Sequence, residues 1–355
     1  MKRRSFLLAP LFLAAANSRA EVDYARVVPG AALHFPRDHG SHPDFRTEWW
    51  YVTGWVHDEA GRDFGIQITF FRNRTGIDGN GASRFAPKQL LFAHAAIADP
   101  GLARLRHDQR AARSGLGLAE SATNTTDVHI GTWLLRLEGD TYHARVEARE
   151  FTLDLEFAAQ RPPLLQGVDG VSRKGPRPEQ ASYYYSRPDL HAAGVLTLDG
   201  GALHVRGRAW LDHEWSSAYL AEDARGWDWT GLTFDDGTAL MAFRMRDTSG
   251  ATFWAGGAID DARGNVRTLA PAAVRFTPMR LWRSPRTGIE YPVVFALRAG
   301  GIDVTLEPLF DDQELDSRAS VGTIYWEGAV RALAAGREIG RGYLELTGYG
   351  EALTL

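Results

Sequence analysis

Two short stretches of the chain gather the side chains that could do acid–base chemistry. The first, HFPRDHGSHPDFRTEWWY, sets His34, His39, His42 and Glu48 ahead of Trp49, Trp50 and Tyr51. The second runs from Trp210 through Asp212, His213, Glu214 and Trp215 to Trp227, Asp228 and Trp229. A titratable group beside an aromatic wall loses hydration, which shifts its pKa and makes proton transfer feasible at neutral pH. Three chemistries compete for these residues. A zinc site of the H-E-x-x-H kind needs a second histidine four residues on, which His213-Glu214 lacks, and His34, His39 and His42 show no ladder or helical spacing to aim them at one ion. No metal is expected. A serine hydrolase needs a nucleophile on a strained turn, and no G-x-S-x-G occurs. The third is a ligand cavity lined by rings and closed by a few polar groups, which suits a bulky, mostly hydrocarbon ligand. Rings of this kind also fill ordinary sheet interiors.

Strand alternation sorts the candidates by face. Asp212 and Glu214 go to one side of their strand, and His213 and Trp215 go to the other. Trp49 and Trp50 are split in the same way: one ring faces a barrel interior and the other the contact between barrels. Trp227 and Trp229 share a face, so Asp228 points away from them unless the strand bulges there. Without that bulge, Glu214 or a neighbouring strand must supply any proton.

The elements that carry these residues read as strands. Apolar residues alternate at period two, as in Trp133, Leu135, Leu137 and again Tyr142, Ala144, Val146, Ala148. Between such runs sit hairpin signals at Gly139-Asp140, Asp199-Gly200-Gly201, Asp236-Gly237, Gly300-Gly301 and Gly336. The parity of the apolar set flips between Ala148 and Phe151, which predicts a tight turn or bulge near Arg149-Glu150. Outside the leader no capped stripe at period 3.6 occurs, so the fold class is all-β, antiparallel, as a sandwich or barrels. Trp50-x-x-x-Gly54-x-x-x-Asp58 recurs as Trp227-x-x-x-Gly231-x-x-x-Asp235, which suggests a duplicated domain. The irregular segment 161–178 precedes a division expected at Asp189, giving units 21–189 and 190–355, each near the length of one eight-stranded barrel.

Residues 1–20 join a basic head to an apolar run from Phe6 to Ala16 and a small-residue exit, an export signal too short to span a bilayer. Arg3-Arg4-Ser5-Phe6-Leu7 resembles the twin-arginine pattern, so a periplasmic location is expected. Removing this leader takes four basic residues and no acid from a chain of 40 Lys+Arg and 44 Asp+Glu, leaving 36 against 44, or a net charge of −8. A nucleic-acid partner is disfavoured. There is no cysteine, hence no disulfide, thiolate metal site or cysteine nucleophile. No later stretch reaches eighteen uninterrupted apolar residues, so no transmembrane segment is expected in the mature chain.

The run His34-Phe35-Pro36-Arg37-Asp38-His39, then Glu48-Trp49-Trp50-Tyr51-x-x-Gly54, joined downstream to Trp210-Leu211-Asp212-His213-Glu214-Trp215, resembles the AttH and carotenoid 1,2-hydratase family. The resemblance extends from about residue 30 to the C-terminus and implies two lipocalin-like barrels packed together. In its hydratase branch, water adds across an isolated terminal double bond without a cofactor. The branch's His-x-Trp motif corresponds to His213 and Trp215, and a carboxylic acid is the implied proton donor. A Tyr-x-Asp expected after Trp229 is missing, which leaves Asp228, Glu214 and Asp235 as the nearby acids. On this reading Asp228 or Glu214 is the acid and His213 orients water. The substrate wall draws on Trp210, Trp215, Trp227 and Trp229, with His39, Glu48, Trp50 and Tyr51 from the opening stretch. The alternatives are a carrier or chaperone of a hydrophobic ligand that uses the same wall without proton transfer, with peripheral membrane contact for ligand exchange, and a secreted hydrolase of unassigned substrate.

Overall fold

A computed structural model describes residues 23–77, 86–221 and 224–351; residues 1–20, where an export signal is expected, lie outside them. Two large antiparallel sheets make up the chain, each curled around its own apolar core, as expected for paired lipocalin-like barrels. In the first sheet the strand Thr47–Asp58 lies between its hairpin partner Asp63–Arg74 and the late strand Gly201–Ser216. In the second, Ala224–Phe234 lies between Ala239–Asp247 and Arg337–Leu346 in the same way. The hairpin signals fall where they were read, with Gly139, Gly237, Gly300 and Gly336 all at positive φ. Thr141–Glu147 and Phe151–Ala158 form a hairpin whose turn accounts for the parity flip after Ala148.

Two expectations need correction. The division at Asp189 falls inside the strand Ala181–Leu198, and the sheets change only between Ser216 and Ala224. The irregular segment was a poor guide because two short strands within it, Leu164–Leu165 and Val171–Arg173, are stitched onto Ala181–Leu198. The internal repeat holds in strand order, but its sequence echo is one residue out of step. The echo aligns Asp58 with Asp235, whereas the matching hairpin bonds are Asp58 N to Arg62 O and Phe234 N to Thr238 O. One residue of slip inverts the face. Trp50 therefore packs inside the first barrel while Trp227 lies between the barrels.

The sheets meet through their first and last strands. Odd-numbered residues of Thr47–Asp58 and even-numbered residues of Gly201–Ser216 leave the first barrel and pack against odd-numbered residues of Ala224–Phe234 and Arg337–Leu346. Gly231 belongs to this layer: a Cβ there would lie 2.7 Å from the Trp229 ring and 3.0 Å from that of Trp210. The missing Cβ leaves room for both indoles, which meet edge to face at 73°.

Candidate functional site

Alternation places the sequence candidates in three separate environments. Inside the first barrel, Glu48 is fully buried and its carboxylate is saturated. Its Oε1 meets His42 Nδ1 at 2.7 Å and His213 Nε2 at 2.9 Å, while Oε2 accepts from Arg72 Nε and from the His42 backbone N–H, both at 2.8 Å. Trp215 stacks on His42 with centroids 3.7 Å apart, Trp50 stacks on His213 at 4.7 Å, and Tyr185 Oη bridges His213 and His39. The opening histidine loop is thus a plug for this barrel, and its residues fill each other's hydrogen-bonding capacity. Burial would raise Glu48, but Arg72 and the two imidazoles outweigh it and hold the carboxyl well below its usual range. Burial pushes His213 and His39 each down to about 4. For His42, bonds to Asp38 and Glu48 overcome burial and raise it.

Contrary to the sequence spacing, His42, Glu48 and His213 do converge, with one ligand atom from each lying within 4.8 Å of the others. The donor set suits a structural network better than a divalent cation, because the Arg72 guanidinium already occupies the second carboxylate oxygen. Adding a cation beside it would place like charges in a low-dielectric interior.

Asp228 sits in the second barrel. No bulge occurs at its position, so it points away from Trp227 and Trp229. There it accepts from Arg244 Nε at 2.5 Å, Arg246 Nε at 3.0 Å and Tyr349 Oη at 3.0 Å. It is not available as an acid to anything bound against the tryptophans.

The third environment is a cavity of about 270 Å³ between the barrels. Of the sequence candidates, Tyr51, Trp227, Trp229 and Glu214 line it, and Trp210 packs behind Trp229. His39, Glu48, Trp50, His213 and Trp215 do not reach it. Four carboxyls do: Asp212 and Glu214 from the first sheet, Glu327 and Glu345 from the second.

These acids are wired differently. Gln166 donates to Ser186 Oγ, leaving Ser186 to donate to Asp212 Oδ1 at 2.5 Å. Trp229 donates to Tyr184 Oη, leaving Tyr184 to donate to Asp212 Oδ2 at 2.6 Å. Trp210 Nε1 adds a third donor at 2.7 Å. Burial raises Asp212 to about 7 against these three donors, which all favour its ionised form. Glu214 is raised by burial and drawn back by Lys174, whose Nζ lies 2.8 Å away.

Glu327 and Glu345 are direct cross-strand partners on Ile324–Ala334 and Arg337–Leu346. Cβ atoms so placed lie about 5 Å apart, and two charges cannot share such a site cheaply. Burial pushes Glu345 up to about 8, with Asp212 and Glu214 adding to the rise, and burial together with Glu345 pushes Glu327 well above the carboxyl range. Both are pushed toward the protonated form.

A hydrogen-bond chain agrees with that state. Gln109 Nε2 donates to Asp316 O, so its Oε1 faces Ser320, which must donate to it at 2.6 Å. Ser320 then accepts from His94 Nε2 at 2.8 Å, and His94 Nδ1 accepts from Tyr325 Oη at 2.6 Å. Tyr325 has spent its proton and offers only lone pairs to Glu327 beside it. Burial holds His94 down at about 3, so the ring is neutral throughout.

The AttH-like family model matches residues 26–349, spanning both sheets and the whole cavity wall. The chain belongs to the AttH-like family. Among solved structures, a protein assigned as AttH from Nitrosomonas europaea is 49% identical to this AttH-like chain, with a TM-score of 0.86, covering 92% of this chain and 99% of that one. Kievitone hydratase from Nectria haematococca has a TM-score of 0.70 at 16% identity, over 93% of this chain and 97% of its own. CghA bound to Sch210972 has a TM-score of 0.51 at 12% identity, over 88% and 89%. At those identities the last two show the shared fold. No curated protein sequence matches this chain.

Sequence reasoning passed over Glu327, Glu345, His94 and Tyr325. The signal for the two glutamates was an acid at an apolar-parity position, in YWEGAV and YLELTG.

Proposed function

We propose that this protein is a cofactor-independent hydratase acting on an isolated carbon–carbon double bond of an apolar ligand held between the barrels. What carries the reading is the split between the two walls of one cavity: a protonated carboxyl pair, Glu327 and Glu345, faces a carboxylate, Asp212, that three donors keep poised to ionise near neutrality. Titratable groups pushed apart in this way identify an acid and a base.

The alkene π electrons take the proton of the Glu327–Glu345 pair, forming a C–H bond and a tertiary carbocation. Trp227 and Trp229 stabilise that cation with their ring faces. Water then adds through oxygen and its proton passes to Asp212; Asp212 releases that proton to solvent and solvent returns one to the acid pair, which restores both groups. That one structural neighbour, kievitone hydratase, is a hydratase supports this choice over a hydrolase. Glu214 remains a wall residue held by Lys174, and His213 has no part in the step. Export to the periplasm by the twin-arginine leader belongs to the same reading.

The test incubates the purified protein with a panel of isoprenoid alkenes in ¹⁸O-labelled water, followed by mass spectrometry. Gain of one labelled water by a ligand, lost in Glu327→Gln and in Asp212→Asn with the fold intact, supports hydration. Tight binding of an unchanged ligand by all three proteins indicates a carrier instead.

A further inference from the structure

The cavity holds more acid than its surroundings balance. Four carboxyls line it, and among the described lining residues there is no lysine or arginine. Lys174 points into a cage of Tyr184, Tyr219 and Phe243 at 4.7, 5.2 and 4.3 Å, and is spent on Glu214. His94, the only imidazole in the lining, is neutral. The charged groups that shift Glu345 are all carboxylates: Asp212, Glu214 and Asp228.

The rings form a box on the same side. Trp49 meets Tyr219 edge to face, with centroids 5.1 Å apart at 84°, and Tyr219 meets Trp227 at 5.4 Å and 76°. Tyr51 and Trp229 repeat this arrangement at 5.3 Å and 84°. Perpendicular neighbours of this kind present ring faces, the negative part of the aromatic quadrupole, to a common space. Trp49 and Trp227 are only half-buried, so they keep surface free for a ligand.

We propose that this cavity binds an organic ammonium cation, held by the faces of Trp49 and Trp227, with Tyr219 standing between them, and by the carboxyls of Asp212 and Glu345, which no lysine or arginine of the described lining balances. The proposal takes the cavity from the hydratase reading but needs no turnover. A quaternary ammonium carries the charge and shape of the carbocation that hydration passes through, so one box serves both. Ammonium binding also favours the ionised carboxylates, and the groups that give up protons are Asp212, at about 7, and Glu345, at about 8. Affinity therefore rises with pH across that window, with proton release. Of the groups facing these two acids, Glu214 and Glu327 act in the same direction, Lys174 stays paired and His94 does not titrate there.

Choline and its neutral carbon isostere, 3,3-dimethylbutan-1-ol, supply the test by calorimetry on the mature protein in two buffers of different ionisation enthalpy. Choline is expected to bind at least about tenfold more tightly than the isostere, more tightly at the alkaline side of the window, and with protons released to buffer. Glu345→Gln should remove the part of the pH dependence that Glu345 supplies, and Trp227→Leu should erase the preference for choline, each with a single cooperative unfolding transition as proof of fold. Equal binding of the isostere, no choline binding at millimolar concentration, or affinity that falls as pH rises overturns the proposal. Choline binding without hydration of any alkene rejects only the hydratase reading; hydration without discrimination between choline and isostere rejects only this one.

Discussion

Replacing Glu345 by glutamine should make the protein more stable, and only above a defined pH. The Glu345 carboxyl is raised from 4.5 to about 8, chiefly by burial. Below pH 4.5 both folded and unfolded chains carry its proton, and the group contributes nothing to the pH dependence. As the pH rises, the unfolded chain releases the proton first and the folded chain keeps it, so stability falls until the folded group also ionises. At 1.36 kcal/mol per unit, the full rise corresponds to a loss on the order of 5 kcal/mol, complete above pH 8 or so. Glutamine keeps the shape and a hydrogen-bond donor and has no proton to release. Guanidinium unfolding of wild type and Glu345→Gln at intervals from pH 4.5 to 8.5 reads the difference directly. Wild type should lose ground steadily to the variant across that span, at equal m-values. Two stability curves that run parallel would refute the reasoning, because Glu345 would then titrate alike in both states.

Lys174→Met leaves Glu214 buried without its cation and should cost about 3–5 kcal/mol in denaturant unfolding, most of it recovered in Lys174→Met/Glu214→Gln. Asp228→Asn strands Arg244 and Arg246 inside the second barrel and should destabilise by a similar few kcal/mol in denaturant unfolding. His42 is raised above 6.5 in the folded state, so the stability it adds is fully present below that pH and is lost as pH rises through the folded value; the gap between wild type and His42→Ala in thermal melts should narrow accordingly. Replacing Arg3 and Arg4 by lysine should stop accumulation of the mature form in the periplasm, as followed by fractionation.

Much of this site was legible in the chain because parity along a strand is local information. The separation of Trp49 from Trp50, of Asp212 from His213, and of Asp228 from Trp227 and Trp229 needed only alternation, and each holds. What parity cannot give is which strand lies opposite. Glu327 and Glu345 sit on the two arms of one hairpin, and its second arm is set beside Ala224–Phe234 by pairing across more than a hundred residues. His94 lies in LFAHAAI, where a lone histidine reads as core; its role depends on Ser320 and Tyr325, both more than two hundred residues away. The slipped repeat has a local cause: Asp58 and Asp235 look alike in sequence but stand one place apart in their hairpins, and the tryptophans they aligned face different interiors. The conspicuous histidine loop drew attention because polar residues cluster there, yet closing a barrel end with satisfied polar groups requires the same residue types as chemistry does.

The central claim is that protonated Glu327 and Glu345 face an ionising Asp212 across one cavity. Infrared spectroscopy of the folded protein in D₂O reads the protonation state of buried carboxyls through the C=O stretch of the neutral acid. At neutral pH the spectrum should contain that band, reduced in Glu327→Gln and in Glu345→Gln, and in Asp212→Asn the contribution of the pair should persist. A spectrum without a neutral-acid band at neutral pH, or one whose band disappears with Asp212 alone, would contradict the assignment of acid and base.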